Sequence, residues 1–140
     1  RHGAPAAEIR AAITAIGGAV RASPIRATAP LGPSRRRFAN AAMLFESGEM
    51  PCELLRRLKR IEHAFGRRRG RRWDMRVIDL DIILWSGGAW SSRGLTIPHP
   101  QFRQRDFVLV PLLVLAPAWR DPLTGRTIRQ LAARLARRAG

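Results

Sequence analysis

Apolar side chains recur at helical spacing in three stretches of the chain, and a fourth stretch is apolar almost throughout. In residues 5–16 they return every three to four positions, with a proline in the first turn and a glycine pair after the last. Residues 51–65 show the same period. The run 106–115 is strongly apolar, and its length and leucine content favour a helix over a strand. Thr127 suits the N-cap of a last helix through Leu135, so the pattern predicts four helices.

Alternating apolar and polar positions predict strands between these helices. Val20–Thr28 and Phe38–Glu46 would pair as a hairpin, with a long loop that contains the rigid turn Ala29–Pro33 and an exposed arginine run. Ala89–Ile97 would form a smaller hairpin. Glycines and arginines over Gly66–Arg72 interrupt any periodicity, so we expect a mobile loop there.

The stretch from Val77 to Trp85 is β-branched and apolar except for two acids, and it predicts a buried strand. Because side chains alternate across a strand, Asp79 and Asp81 would share one face, roughly 6–7 Å apart. Two neighbouring carboxylates in an apolar strand repel each other and resist desolvation unless a positive charge joins them. Arg76, or one or two Mg²⁺ ions, would supply that charge.

Two interpretations of the acid pair are open at this point. An Asp-x-Asp is often a strand end with solvated acids. The alternative is a site for a metal–polyphosphate, which the arginines directly before the pair favour, because acids hold cations and arginines hold anions. These arginines are Arg67, Arg68, Arg69, Arg71, Arg72 and Arg76.

Charge extends this picture to the whole chain. The formal net charge is +16, and all but one of the 26 basic residues are arginine, the exception being Lys59. Such an excess indicates anionic partners, either nucleic acid or phosphorylated small molecules, although a genome-wide preference for arginine codons would give the same composition. The lone Cys52 excludes an intramolecular disulfide and fits a reducing cytoplasm.

The remaining bulk properties predict one folded domain. A length of 140 residues suits a single domain with its own core. No apolar run approaches the roughly 20 residues needed to span a bilayer, and no signal-peptide pattern opens the chain. The order helix, strand pair, helix, strand, helices predicts an α+β sandwich rather than a doubly wound sheet.

Six short motifs follow one another between about Pro5 and Leu135. They are Ala29-Pro30-Leu31-Gly32-Pro33, Phe38-Ala39-Asn40-Ala41-Ala42, Arg60-Ile61-Glu62 leading into Gly66-Arg67-Arg68-Arg69, Asp79-Leu80-Asp81-Ile82 after Arg72-Trp73, Leu95-Thr96-Ile97-Pro98-His99-Pro100, and Phe107-Val108-Leu109-Val110-Pro111-Leu112. In this order and spacing they resemble the 6-hydroxymethyl-7,8-dihydropterin pyrophosphokinases of the folate pathway.

The resemblance implies an activity and a fold. The family transfers the β,γ-pyrophosphoryl group of ATP to the hydroxymethyl group of a reduced pterin and releases AMP. Its fold is a ferredoxin-like α+β sandwich with a mixed or antiparallel sheet, and two Mg²⁺ ions join an Asp-x-Asp pair to the triphosphate. We therefore expect a cytoplasmic monomer that acts on small molecules, with neither a membrane nor a nucleic acid as partner.

The resemblance also implies roles for individual residues. The catalytic residues would be Arg67, Arg69, Arg76, Asp79 and Asp81, of which the two acids would be the metal ligands. ATP would contact Arg72, Trp73, Arg76, Ile82, Thr96, His99 and Arg105. The pterin would contact Thr28, Leu31, Phe38, Asn40, Trp73 and Phe107, with the two phenylalanines as an aromatic sandwich. From the pattern alone, Phe107 would instead belong to the core of a helix.

Two of the places where the chain departs from the family are its opening and Asp74-Met75. The family opens with a strand that ends in a glycine-serine-asparagine-like turn, whereas this sequence begins in the helix that should follow. We expect either a truncated sequence, a strand placed elsewhere, or a protein that is not an ordinary active member. Asp74-Met75 stands where the family has small residues or proline. The competing functions are an Arg-rich nucleic-acid-binding module and an inactive relative of the family.

Overall fold

A computed structural model describes residues 5–28, 38–68 and 78–139, apart from the side chains of Pro5, Ala27, Thr28, Phe38, Arg67 and Arg68. The chain divides into two compact units, Arg1–Leu80 and Asp81–Gly140. Both helices and antiparallel strands are present, which agrees with the predicted α+β class.

The first unit contains two helices and four short strands. They are α1 (Pro5–Ile16), β1 (Ala19–Ala22), β2 (Arg26–Thr28), β3 (Phe38–Asn40), β4 (Met43–Phe45) and α2 (Pro51–Arg68). Helix α1 has the predicted bounds. Helix α2 begins as predicted but continues past Phe65, so the predicted loop is wrong for residues 66–68, and its remainder lies outside the described residues. One glycine costs a helix only about 1 kcal/mol, and arginine is a good helix former.

Each strand of the predicted hairpin is divided into two. β1 pairs with β4 and β2 pairs with β3, both antiparallel, so the pairing prediction is confirmed. At the break, the Ser23 backbone N–H donates to the Ala42 carbonyl at 2.8 Å, and the Ala42 N–H donates to the Ser23 hydroxyl at 2.8 Å. The next residue, Pro24, has no N–H to continue a ladder, which explains the interruption.

Arg57 of α2 ties the helices of the first unit together. Its Nη1 donates to the carbonyl of Ile16, the last residue of α1, at 2.7 Å. Its Nε and Nη2 both lie 2.9 Å from carboxylate oxygens of Glu49. Ala12 of α1 and both Leu58 and Phe65 of α2 have buried side chains.

The second unit contains one hairpin and two helices. Its elements are β5 (Trp90–Ser92), β6 (Leu95–Ile97), a 3-10 turn (Phe102–Gln104), α3 (Asp106–Leu115) and α4 (Ile128–Ala139). β5 and β6 are antiparallel, so the small hairpin and both helices are confirmed. Thr127 caps α4 as predicted: the Gln130 N–H donates to its hydroxyl at 3.1 Å, and its own N–H donates to the Gln130 side-chain oxygen at 2.8 Å.

The core of the second unit lies between the 3-10 turn and the two helices. Its fully enclosed members are Phe102, Leu109, Ile128 and Leu131. Ile83 and Leu84 pack against this cluster, so the segment that follows Asp81 is anchored by apolar contact. Ile83 and Leu84 therefore contribute to the core of this unit, as the apolar composition of the segment indicates.

The predicted strand over Val77–Trp85 is wrong for the part that can be compared. Residues 78–85 carry no strand, while Val77 lies outside the described residues. A strand needs a hydrogen-bonded neighbour along its length, and the backbone of this segment is held differently. A side-chain carboxylate accepts the Leu80 N–H, and the Ile83 carbonyl accepts the His99 N–H. Within the part of the chain that the structure describes, no helix is both long and apolar enough to cross a bilayer.

Candidate active site

Eight residues of the predicted site fall outside the described side chains. Leu31, Arg69, Arg72, Trp73 and Arg76 lie in ranges that are not described, and the side chains of Thr28, Phe38 and Arg67 are not described although their backbone belongs to β2, β3 and α2. The described site residues are Asn40 and Asp79 in the first unit and Asp81, Ile82, Thr96, His99, Arg105 and Phe107 in the second.

In the second unit the structure brings the segment after Asp81 next to His99. Strand β6 ends at Ile97, whose side chain is buried, and the Ile97–Pro98 peptide bond is cis. The chain then turns so that the His99 N–H donates to the Ile83 carbonyl at 3.0 Å. Ile82 and His99, both predicted to contact the nucleotide, therefore lie on two neighbouring segments.

The imidazole of His99 has a defined orientation. Its Nδ1 accepts a hydrogen bond from the Gln101 N–H at 3.1 Å. A ring nitrogen that accepts carries no proton, so in the neutral ring the proton belongs to Nε2. His99 is half-buried. It therefore offers an oriented Nε2–H donor, which suits an anionic oxygen.

Arg105 makes two side-chain contacts, one with Gln101 and one with Phe107. Nη2 of Arg105 donates to the Gln101 side-chain oxygen, and its guanidinium carbon lies 5.5 Å from the centroid of the Phe107 ring. A cation at that distance from an aromatic ring is attracted to it. Phe107 is 37% exposed, so it does not belong to the helix core. An exposed aromatic ring beside an arginine suits a planar ligand with an anionic group.

The turn that carries these residues is fixed by Phe102 and Arg103. Phe102 is fully buried, and Arg103 reaches the fully buried Asp121 through two hydrogen bonds. Burial by itself would raise the pKa of the Asp121 carboxyl, but hydrogen bonds from Arg103, the Leu123 N–H and the Thr124 hydroxyl outweigh burial and lower that pKa to about 2. The carboxylate stays ionised at neutral pH and holds the turn.

The two acids of the Asp-x-Asp pair are both exposed. Asp79 is near the end of the first unit, and Asp81 begins the second. Between them, the Leu80 N–H donates to Oε2 of Glu62 at 2.5 Å. Glu62 is only 4% exposed although it is charged. The backbone between the acids is therefore held from helix α2.

The remaining described site residues are on strands. Asn40 ends β3, opposite Arg26 of β2, and is half-buried. Thr96 is the central residue of β6, opposite Ser91, and is exposed. An exposed hydroxyl on a two-stranded hairpin is open to a ligand, and a half-buried amide at a strand end can present its polar atoms to one.

The donor set suits Mg²⁺ in number and chemistry. Within residues 5–28, 38–68 and 78–139, no group of three or more His, Cys, Asp or Glu side chains is arranged to hold a metal. Mg²⁺ commonly takes one or two protein carboxylates and completes its shell with phosphate and water oxygens. Two exposed aspartates fit that mode of binding.

Comparison with known proteins decides the family. The model of the family 7,8-dihydro-6-hydroxymethylpterin-pyrophosphokinase (HPPK) matches residues 2–117. This chain belongs to the HPPK family. Among its relatives, the 2-amino-4-hydroxy-6-hydroxymethyldihydropteridine pyrophosphokinase of Synechocystis is 44% identical over 100 residues, which are 71% of this chain and 51% of the relative.

Two further relatives are also 2-amino-4-hydroxy-6-hydroxymethyldihydropteridine pyrophosphokinases. That of Methylorubrum extorquens is 42% identical over 98 residues, covering 70% of this chain and 61% of the relative. The enzyme of Pseudomonas aeruginosa is 39% identical over 115 residues, which are 81% of this chain and 70% of the relative. The chain thus spans about half to three fifths of the first two relatives.

Sequence reasoning missed two residues that this HPPK chain places beside its predicted site. In the sequence Glu62 belongs only to a family motif, yet in the structure its carboxylate accepts the backbone N–H between the two acids. The available signal was a carboxylate on the apolar face of α2, between Leu58 and Phe65. Gln101 contacts both His99 and Arg105. An exposed glutamine in a turn gives no comparable signal in the sequence.

Proposed function

We propose that this chain transfers the β,γ-pyrophosphoryl group of ATP to the hydroxymethyl group of 6-hydroxymethyl-7,8-dihydropterin. The pterin hydroxyl oxygen attacks the β-phosphorus and loses its proton, the bond between the β-phosphorus and the α–β bridging oxygen breaks, and AMP leaves with that oxygen. The match of the HPPK family over residues 2–117 carries this proposal. The fold would be a ferredoxin-like sandwich, and the protein a single-domain, cytoplasmic monomer.

The second unit would bind the phosphates of ATP. His99 offers an oriented Nε2–H, and Arg105 offers a guanidinium that already lies between Gln101 and Phe107. Donors that are fixed before the substrate arrives stabilise developing negative charge without reorganising. Ile82 and Thr96 would contact the nucleotide on the two segments that precede His99.

Asp79 and Asp81 would hold Mg²⁺. Bound Mg²⁺ would neutralise the triphosphate and orient it for attack, which is the main requirement of phosphoryl-type transfer. The chain's own contribution is to present two exposed carboxylates from a backbone that Glu62 holds. Trp73 would help to exclude water. Four arginines of the preceding segment would complete the neutralisation of the triphosphate: Arg67, Arg69, Arg72 and Arg76.

The pterin would stack on Phe107. This ring is exposed at the start of α3, and its planar face can be covered by a planar heterocycle. Phe38 would cover the opposite face, and Asn40 would read the polar edge of the pterin. Thr28 and Leu31 would complete the pocket.

A product assay tests this proposal. The chain is incubated with Mg²⁺, the hydroxymethyl-dihydropterin and ATP labelled in the β-phosphate, and nucleotides and pterins are separated. We expect AMP and a pterin that carries the β label, in equal amounts and only when both substrates are present. Formation of ADP instead would indicate transfer of a single phosphoryl group, and no pterin product at all would refute the proposal.

A further inference from the structure

Glu62 is a buried charge on the apolar face of a helix. It lies on α2 between the buried residues Leu58 and Phe65 and is 4% exposed. Burying a carboxylate costs several kcal/mol unless hydrogen bonds and charges compensate, and apolar residues of similar volume often stabilise such a position better. Stability of the helix packing alone therefore does not account for an acid here.

The partners of Glu62 are unequal. Oε2 accepts the Leu80 N–H at 2.5 Å, a short hydrogen bond to a charged acceptor. Oε1 lies 3.4 Å from Nζ of Lys59, whose side chain is 53% exposed. A long contact to an exposed lysine is screened by water and contributes little. Among the residues that the structure describes, the main partner of the buried carboxylate is therefore the Leu80 N–H.

That amide joins Asp79 to Leu80, so the hydrogen bond acts on the backbone between the two proposed metal ligands. It fixes the plane of the Asp79–Leu80 peptide and restricts the two torsions beside it. Residues 78–85 are not part of a strand ladder, so hydrogen bonds to a neighbouring strand do not fix their backbone. The bond to Glu62 restrains the backbone at Leu80 instead. The direction in which a ligand's side chain leaves the chain depends on these torsions.

We propose that Glu62 is a positioning residue, which sets the Asp79–Asp81 backbone for metal–triphosphate binding without touching metal or substrate. This inference rests on the proposed function, since it assigns metal binding to the two acids. Groups that orient metal ligands typically change metal affinity or activity about 10- to 100-fold when they are removed. The same range is expected for Glu62.

Three variants at this position separate the hydrogen bond from the charge and from packing. Glu62→Met keeps the volume but leaves the Leu80 N–H without its acceptor. Glu62→Gln keeps an acceptor oxygen and removes the charge. Glu62→Asp keeps the charge but withdraws the carboxylate by one methylene. Lys59→Met is the matched control, because it removes the weaker partner and leaves the Leu80 bond in place.

The readouts are hydrogen exchange of the Leu80 amide, binding of Mn²⁺ in the presence of ATP followed by electron paramagnetic resonance, and AMP release. We expect Glu62→Met to exchange the Leu80 amide faster and to weaken Mn²⁺ binding about 10- to 100-fold. Glu62→Gln and Lys59→Met should stay within about threefold of wild type, and Glu62→Asp should lie between. If Glu62→Met does not fold, Glu62→Asp and Glu62→Gln are compared by the same measurements, and a greater loss of Mn²⁺ affinity in Glu62→Asp supports the inference.

Wild-type Mn²⁺ affinity in both Glu62→Met and Glu62→Asp, with the fold intact, would overturn the inference, as would equal losses in Glu62→Gln and Glu62→Met. No Mn²⁺ binding by the wild-type chain would overturn it as well. If the wild type binds Mn²⁺ with ATP in a Glu62-dependent way but forms no AMP, the proposed reaction fails while the positioning role stands. The two failures are thus distinguishable.

Discussion

Arg103 and Asp121 form a two-pronged ion pair at the base of the turn that carries His99 and Arg105. Nε of Arg103 lies 2.5 Å from Oδ2 of Asp121, and Nη2 lies 2.9 Å from Oδ1. Asp121 is fully buried, and the Thr124 hydroxyl also donates to it. The pair connects the 3-10 turn to the loop before α4, so it links the proposed phosphate-binding turn to the core of the second unit.

This pair predicts a loss of stability in acid. The folded-state pKa of Asp121 is lowered from 3.8 to about 2. Its contribution is therefore complete above about pH 4 and disappears as the pH falls through 2, at a cost of about 2 kcal/mol. Urea unfolding of wild type and Asp121→Asn, measured from pH 6 to pH 2, should show the difference in unfolding free energy shrinking by that amount. A difference that stays constant with pH would contradict this assignment.

Gly87 predicts a packing constraint near the second unit's hairpin. A Cβ at Gly87 would overlap the indole of Trp85, which packs edge-on against Trp90 with ring centroids 5.6 Å apart. We expect Gly87→Ala to displace the indole, to destabilise the fold by about 1–3 kcal/mol and to change the near-UV circular dichroism of the tryptophans. Gly48→Ala is the control, because a Cβ there meets nothing within 4 Å. Equal effects of both changes would argue against the overlap.

Phe107 predicts selective loss of pterin binding. Because the ring is 37% exposed, Phe107→Ala should cost little stability but should weaken pterin binding about 10-fold, as stacking is lost. Fluorescence titration with the pterin in the presence of a non-hydrolysable ATP analogue measures this. Val114→Ala, at a position 52% exposed on the same helix, should leave the affinity unchanged. Unchanged pterin affinity in Phe107→Ala would show that Phe107 does not contribute to pterin binding.

Removal of the Arg105 side chain should raise the KM for ATP more than removal of the Gln101 side chain that contacts it. Arg105→Ala removes a proposed phosphate donor and should raise the KM for ATP about 10-fold or more. Gln101→Ala removes only the side chain that contacts Arg105, so we expect a rise of about two- to fivefold. Arg129→Ala, an exposed arginine on α4, controls for the loss of one positive charge. An equal change in all three variants would indicate a general charge effect rather than a site.

Secondary-structure elements that are stabilised by local interactions could be predicted from the sequence. Helices α1 and α4 follow from apolar spacing and end signals, and α3 follows from the length and leucine content of its apolar run. The Thr127 cap is a bond between residues three apart. The segment 78–85 shows the limit. Its composition suits a strand, but whether a strand forms depends on a neighbouring backbone, and here a glutamate from α2 and the His99 N–H hold it instead.

The sequence allowed candidate site residues to be proposed by their type and position, but not the hydrogen bonds that join them to other segments. Acids, arginines and aromatics at family positions indicated the chemistry. The links through Gln101 and Glu62 depend on how distant segments meet, because Glu62 and Leu80 are 18 positions apart along the chain. The exposure of Phe107 likewise depends on which face of an almost wholly apolar helix is packed, and periodicity cannot decide that for α3.

The most direct test of the account is AMP release by Asp79→Asn and Asp81→Asn, measured beside wild type with ATP, Mg²⁺ and the hydroxymethyl-dihydropterin. Glu46→Gln, at an exposed acid directly after β4, is the matched control. The account predicts that each aspartate variant folds like wild type and loses at least about 100-fold in kcat/KM, a loss of roughly 2.7 kcal/mol, while the control is unchanged. Turnover within about twofold of wild type in either aspartate variant would contradict the metal-ligand role and with it the proposed reaction.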